Sequence, residues 1–68
     1  MNITDAIREA IAEGGCITVP EYADVIKIKP TNTTANCILM NADGSNPSKH
    51  GWQPSANALL RDDWIVTI

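Results

Sequence analysis

The last quarter of the chain constrains the fold most, because residues 51–68 hold both tryptophans, a helix start and a closing strand. Ser55 precedes a short apolar run, where a serine hydroxyl can accept hydrogen bonds from backbone N–H groups of the first helical turn. The predicted helix begins at Ala56 and is short, since three charged residues soon interrupt the apolar pattern. Residues 64–68 have the β-branched and aromatic content of a strand. With Trp52 placed on a short strand before the helix, the segment is predicted to run strand, helix, strand.

The length of the chain limits its core. A domain of 68 residues removes only about 60% of its unfolded surface from water. Cys16 and Cys37 are far apart and supply no disulfide framework, and we expect both thiols to be buried, inert and reduced. A single histidine with two unclustered cysteines does not match a structural zinc site. We therefore expect one domain over residues 1–68 that has no metal or cofactor and is supplemented by homo-oligomerisation.

The charge and hydropathy of the chain argue against several classes of partner. The formal net charge is −3 and the sequence pI is about 4.7, which disfavours non-specific binding to DNA, RNA or an anionic membrane. No apolar run approaches the ~20 residues that span a bilayer, and no basic segment followed by an apolar stretch resembles a signal peptide. We expect a cytoplasmic protein.

An amphipathic helix is predicted over residues 3–13. Thr4 is the expected N-cap, and the Gly14-Gly15 pair is the expected C-terminal stop. A helix of this length is marginal alone and needs a packing partner. The expected apolar stripe consists of Ile3, Ile7, Ala10 and Ile11.

Three strands are predicted in the middle of the chain. Residues 16–19 form a short β-branched run, and residues 24–29 alternate isoleucine with lysine in the period-2 pattern of a half-buried strand. Residues 36–41 suit a strand buried on both sides, although a buried helix of that length has the same pattern. Asp43 and Gly44 predict a tight turn. The expected fold is α+β, with an N-terminal helix packed on a small antiparallel sheet of four to five strands and a short helix before the last strand.

Residues that could support catalysis are sparse. His50 lies in a glycine-, proline- and serine-rich loop without a spaced partner, so it is interpreted as a solvated histidine or a ligand contact, not a catalytic base. Asp62 and Asp63 could form a metal pair, but adjacent acids after a short helix more often give one solvated charge and one capping or bridging contact. We expect a protein that is not an enzyme.

The remaining candidate residues are ones that could bind a ligand. Tyr22, Trp52 and Trp64 are the aromatic residues, and aromatic faces stack on nucleobases with about 1–3 kcal/mol per base. The alternative is that the tryptophans are core residues, which is favoured for Trp64 and left open for Trp52. Ser55 at the helix start could belong to an anion site flanked by Asn57, or be a plain N-cap.

The two strand lysines, Lys27 and Lys29, share one face of their predicted strand. They could line an anion pocket or form a solvated face.

The C-terminal pattern W-x-P-S-x-x-x-L-L-x-x-D-W resembles the signature of the second type of Thoeris anti-defence protein, a family of small phage proteins. A short helix ending in glycine, residues 3–15, and a late hairpin at residues 41–44 continue the resemblance. The sequence departs from the family at Val19, Tyr22 and Ala58, where an Arg, a Trp and an Asp are usual. The residues that carry the resemblance are Trp52, Pro54, Ser55, Leu59, Leu60, Asp63 and Trp64.

The resemblance implies a non-catalytic sponge. Such proteins are homotetrameric dimers of dimers that hold a cyclic ADP-ribose derivative, or in some cases a cyclic dinucleotide, in pockets between protomers. The signal is sequestered and the host effector stays inactive. The alternative is a small protein–protein interaction module or a direct phage inhibitor of a host protein. The ligand-binding residues expected from this reading are Tyr22, Trp52, Ser55 and Asn57, with Lys27 and His50 as further candidates.

Overall fold

The computed structural model describes residues 1–67, so Ile68, the last residue of the predicted closing strand, lies outside the described part. The described residues confirm the expected α+β fold. In chain order the elements are helix α1 (Ile3–Glu13), strand β1 (Cys16–Thr18), a 3-10 turn (Pro20–Tyr22), strand β2 (Ile26–Lys29), strand β3 (Ile38–Asn41), helix α2 (Ala56–Leu60) and strand β4 (Ile65–Thr67).

The four strands form one antiparallel sheet in the order β3-β2-β1-β4. Ile17 of β1 pairs with Ile28 of β2 on one side and with Val66 of β4 on the other, and Ile28 pairs with Leu39 of β3. Paired residues point to the same face of a sheet. One apolar row therefore crosses all four strands: Ile17 and Ile28 are core residues, and Leu39 and Val66 are partly buried and pack against them.

The N-cap of helix α1 lies two residues before the predicted one. Asn2 is the N-cap, and its side-chain oxygen accepts a hydrogen bond from the backbone N–H of Asp5 at 2.8 Å. The prediction of Thr4 is wrong because that residue already lies inside the helix. Gly14 confirms the predicted stop, since its left-handed φ of 68° closes the helix and its N–H faces the carbonyls of Ala10 and Ile11.

The buried stripe of α1 is centred on alanines. Ala6 and Ala10 are fully buried, Ile3 and Ile7 are half-buried beside them, and Ile11 is 37% exposed, which contradicts its predicted place in the stripe. Small side chains at the contact let a helix approach closely. The alanines therefore face the sheet, while the larger isoleucines fill the space at its flank.

The core is centred on β1. Ile17, Val19, Ile28 and Trp64 are its large buried apolar side chains, and Cys16 is buried as expected. Two hydrogen bonds tie the N-terminus to this core residue: the backbone N–H of Trp64 donates to the carbonyl of Met1, and the Met1 ammonium donates to the carbonyl of Trp64, each at 3.0 Å. Residue 1 and the start of β4 are thus held together.

The third strand is less buried than predicted. Ile38, Leu39 and Met40 are half-buried and Asn41 is exposed, because β3 is an edge strand with one neighbour in the sheet. Cys37 beside it is also half-buried instead of buried.

The predicted strand at Trp52 is wrong. Trp52 lies in a loop, although its backbone N–H donates to the carbonyl of Cys37. Gly51 before it has a φ of 81°, outside the β region, and Pro54 after it has no N–H to donate to a ladder. The predicted tight turn is confirmed, since the Gly44 N–H donates to the carbonyl of Asn41 at 2.8 Å.

Candidate functional site

The Ser55 side chain caps the N-terminus of α2. The Ser55 hydroxyl oxygen accepts a hydrogen bond from the backbone N–H of Ala58 at 3.2 Å, as the sequence predicts. The helix has five residues and ends at Arg61, whose backbone is extended. Asn57 is exposed on this helix. Ser55 and Asn57 therefore lie together at the surface, and the cap hydroxyl is already engaged by the protein.

The two tryptophans form one aromatic pair. Their ring centroids are 5.8 Å apart and the ring planes meet at 74°, an edge-to-face arrangement. Trp64 is 3% exposed and its indole N–H donates to the carbonyl of Ala58 at 3.1 Å, which confirms it as a core residue. Trp52 is half-buried and packs against the core. The indole of Trp52 thus packs on Trp64, and only part of its surface is accessible to a ligand.

Arg61 joins the 3-10 turn to the end of α2. Its guanidinium donates to both oxygens of Asp63 at 2.8 and 2.7 Å and contacts Glu21 at 3.3 Å. The paired hydrogen bonds from Arg61 lower the pKa of Asp63, and those same bonds raise the pKa of Arg61. Asp63 thus makes the predicted bridging contact, while Asp62 is exposed. Arg61 was not among the predicted site residues, although it lies only two residues before Asp63 in the sequence.

Exposed apolar residues lie close in sequence to the members of this ion-pair cluster. Tyr22 follows Glu21 and is 45% exposed, while Leu59 and Leu60 precede Arg61 and are 48% and 82% exposed. Because Arg61 pairs with Glu21, these residues from distant parts of the chain lie in one neighbourhood. We call Tyr22, Leu59 and Leu60 the α2 surface.

Lys27 lies beside the turn that follows β3. Its ammonium is next to the turn at Gly44. The pKa of Asp43 in that turn is lowered chiefly by hydrogen bonds from the side chain and backbone of Ser45, with a smaller contribution from the charge of Lys27. The carboxylate that acts on Lys27 is therefore Asp43, and no hydrogen bond within residues 1–67 joins the Lys27 side chain to Ser55 or Tyr22.

His50 lies in a separate depression between two loops, which we call the loop hollow. Its volume is about 350 Å³. None of its other lining residues was predicted as a site residue, because they are spread over residues 31–51, in two loops and at the start of β3, and no pattern links them. The hollow is lined by Thr31, Ala35, Asn36, Ile38, Ser48, Lys49, His50 and Gly51.

The walls of the loop hollow are joined by hydrogen bonds. Ser48 and Leu39 exchange two, from the Ser48 N–H to the Leu39 carbonyl at 2.8 Å and from the Leu39 N–H to the Ser48 hydroxyl at 3.2 Å. The Asn36 side chain donates to the carbonyl of His50 at 3.3 Å. A Cβ at Gly51 would overlap the Cβ of Asn36, so the close approach of the two loops requires glycine there.

Residues 1–67 hold neither a metal-ligand cluster nor a membrane-spanning helix. No group of three or more histidine, cysteine, aspartate or glutamate side chains is placed to hold a metal ion. No helix in this described part is long and apolar enough to cross a membrane.

Comparison with known proteins found no matching family, no matching curated protein and no matching solved structure. Function is therefore inferred from the residues and contacts of this chain.

Proposed function

We propose that the protein is a non-catalytic binding protein that associates with copies of itself and sequesters a cyclic nucleotide at the protomer interface. The ligand is a cyclic ADP-ribose derivative or a cyclic dinucleotide. In this proposal the protein is a phage anti-defence sponge in the host cytoplasm, and it withholds an immune signal from its effector. The observation that carries the proposal is the exposed α2 surface of Tyr22, Leu59 and Leu60.

Self-association is supported by the exposure of these leucines. Fully burying a leucine side chain contributes about 1.5–3 kcal/mol relative to leaving it in water, and Leu60 is 82% exposed. The monomer core is thin, since its large apolar side chains in the described residues number four. A second protomer covering the α2 surface would add apolar burial that one chain of this size lacks.

Ligand binding is supported by the polar groups beside the same leucines. Tyr22 offers an exposed ring for stacking, and Asn57 offers amide donors and an acceptor. Within residues 1–67, Arg61 uses three of its five N–H groups on Asp63 and Glu21. Because this cluster carries one positive and two negative charges, it favours the hydroxyl groups and base edges of a nucleotide over its phosphates.

Ligand retention tests the sponge. The purified protein is incubated with cyclic ADP-ribose isomers and cyclic dinucleotides, desalted and heat-denatured, and the released ligand is identified by mass spectrometry. We expect one of them to be recovered intact, and Tyr22→Ala to weaken its binding about tenfold or more, as expected for a lost stacking contact. Val25→Ala, at another exposed residue of the same loop, is the control. Retention of none of these ligands would refute the proposal.

The oligomeric state tests the interface separately. Light scattering after size exclusion should give a mass well above the 7.3 kDa of one chain. Leu60→Asp should shift the protein towards the monomer, because a carboxylate cannot be buried there without a partner. Ile11→Asp, an equivalent change on α1, should leave the mass unchanged. A wild-type monomer would exclude a pocket between protomers.

A second candidate function is favoured by the edge of the sheet. Strand β4 has β1 as its one neighbour among the described strands, and Ile65 on it is 39% exposed. An exposed edge can accept a strand from another protein, as expected for a direct inhibitor of a host protein. Stoichiometric capture of a host protein that survives Trp52→Ala and Ser55→Ala but is lost in Ile65→Lys would favour this candidate over the sponge.

A further inference from the structure

The middle of the chain has a net positive charge, whereas the whole chain has a net negative charge. Residues 25–60 contain three lysines and one aspartate, a net charge of +2, whereas the full chain carries −3. This segment supplies β2, β3 and every lining residue of the loop hollow. An otherwise acidic protein therefore has one region that attracts anions.

Two groups of this region that can carry positive charge line the loop hollow. Lys49 and His50 line it, and none of its eight lining residues is acidic. Lys29 pairs with the lining residue Ile38 in the β2–β3 register and so stands on the same face of the sheet. The hollow is thus lined by one lysine and an imidazole, and a second lysine stands beside the lining residue Ile38 on the same face of the sheet.

The one acid of the segment is at the far end of the same strand pair. Asp43 follows Asn41, which pairs with Ile26, whereas the hollow adjoins the pair of Lys29 with Ile38. Three residues of strand separate these ends, about 10 Å at ~3.4 Å per residue. That distance is about one Debye length at physiological salt, so Asp43 cancels little of the positive charge at the hollow.

The hollow also offers neutral donors and an apolar wall. The Ser48 hydroxyl oxygen accepts from the Leu39 N–H, so its own proton is directed elsewhere and can be donated. His50 carries at least one ring N–H in either protonation state. Ala35 and Ile38 supply apolar surface. A volume of about 350 Å³ falls at the lower end of the range for small-molecule pockets, roughly 300–1,000 Å³.

We propose that the loop hollow binds a small phosphorylated molecule of the size of a nucleoside monophosphate or a sugar phosphate. Lys49, His50 and Ser48 hold the phosphate, and Ala35 and Ile38 contact the organic part. Charge-assisted hydrogen bonds from Lys49 provide most of the affinity. The loop hollow is separate from the α2 surface, so its binding does not depend on the function proposed above.

A titration of the ¹⁵N-labelled full chain with adenosine 5′-monophosphate, inorganic phosphate and adenosine tests this site. We expect saturable shifts of backbone amides confined to residues 31–38 and 48–51. The nucleotide should bind more tightly than phosphate, adenosine should bind at least about tenfold more weakly than the nucleotide, and added sodium chloride should weaken both charged ligands. Adenosine binding as tightly as the nucleotide, or shifts located elsewhere, would overturn the assignment.

Matched lysine variants identify the phosphate contact. Lys49→Ala should weaken nucleotide binding about tenfold or more, and His50→Ala should change it in the same direction. Lys27→Ala removes the same charge beside the Asp43 turn and should change affinity less than about twofold. Equal effects of Lys27→Ala and Lys49→Ala would show general charge attraction and refute a site at the hollow. Tyr22→Ala should leave this titration unchanged, which separates it from the test of the sponge.

Discussion

The sheet centre and the loop end of this molecule are held together in different ways. Around β1, Ala6, Ala10, Ile17 and Trp64 are almost completely removed from water. In the loops of residues 30–37 and 42–55, most side chains are exposed or half-buried, and hydrogen bonds between polar groups hold the segments together. Apolar burial gives a cooperative core, whereas individual hydrogen bonds contribute about 0.5–1.5 kcal/mol each. The centre therefore supplies stability and the loops remain available for binding.

The aromatic pair marks the border between these regions. Trp64 belongs to the sheet centre and is buried immediately before β4. Trp52 lies in the loops and packs edge-to-face against the Trp64 ring. The backbone of Trp52 is tied to Cys37 at the edge of the sheet. A substitution that destabilises the loops should therefore also affect the sheet centre through the contact between the two tryptophans. The following substitutions test the size of that effect.

The largest effect is expected for Trp64→Ala. Removing a buried tryptophan costs about 3–5 kcal/mol, which is a large part of the roughly 3–10 kcal/mol expected for a domain of 68 residues. Urea unfolding followed by far-UV circular dichroism should show a greatly lowered midpoint or an unfolded chain. Trp52→Ala is the paired variant and should cost less, because part of its ring is already in water. A larger loss for Trp52→Ala would reverse the proposed roles of the two regions.

Gly51→Ala should weaken the hydrogen bonds between the loops and leave the sheet centre folded. The substitution puts an alanine at a positive φ, at about 1–3 kcal/mol for such backbone strain, and adds an overlap with Asn36. Gly44→Ala carries the same backbone strain without that overlap. Hydrogen exchange should show lost protection of the Ser48 and Trp52 amides in Gly51→Ala, with β1 still protected. Equal loss in the two variants would mean that the contact with Asn36 does not hold the loops.

Ser55→Ala should have a moderate effect confined to α2. Loss of the N-cap hydrogen bond to Ala58 costs about 0.5–2 kcal/mol, and aspartate replaces serine well at such positions. We expect a lower urea midpoint and altered amide shifts over residues 56–60 for Ser55→Ala, with recovery in Ser55→Asp. Failure of Ser55→Asp to recover would show that the hydroxyl acts in some way other than capping.

The smallest effect is expected for Asp63→Asn, and it depends on pH. The folded state lowers the pKa of Asp63 through its hydrogen bonds with Arg61, so the ion pair stabilises the protein above the ordinary aspartate pKa of about 3.9. That contribution is lost as pH falls through the lowered pKa. The difference in unfolding free energy between wild type and Asp63→Asn should therefore shrink below about pH 4. Asp62→Asn, at the exposed neighbour, is the control, and an equal effect there would contradict the role of the Arg61 pair.

Local features of the fold were accessible from the sequence because they depend on neighbouring residues. The Ser55 cap, the stop at Gly14 and the turn at Gly44 each follow from the backbone preferences of one or two residues. The wrong N-cap arose in the same way, since Asn2 and Thr4 are both capping residues and only the packing of α1 selects between them.

The candidate sites were less accessible, because their residues meet only in the folded chain. Trp52, Ser55 and Asn57 were found through their local pattern, yet Arg61 became visible only through its contact with Glu21, forty positions away. Lys49 and Asn36 of the loop hollow come from two loops that no periodicity connects.

The sequence by itself determined the elements and their composition: an amphipathic helix, short β-branched strands, a capped short helix and a buried Trp64. Periodicity and capping act over a few residues and can be read without the fold. The tertiary structure alone decided which face of α1 is buried. Ala6 and Ala10 are buried, whereas Ile11 is partly exposed. It also decided that Lys49 and Asn36 line the same hollow and that Arg61 pairs with Glu21. These contacts depend on the distance between segments far apart in the chain, which no local pattern encodes.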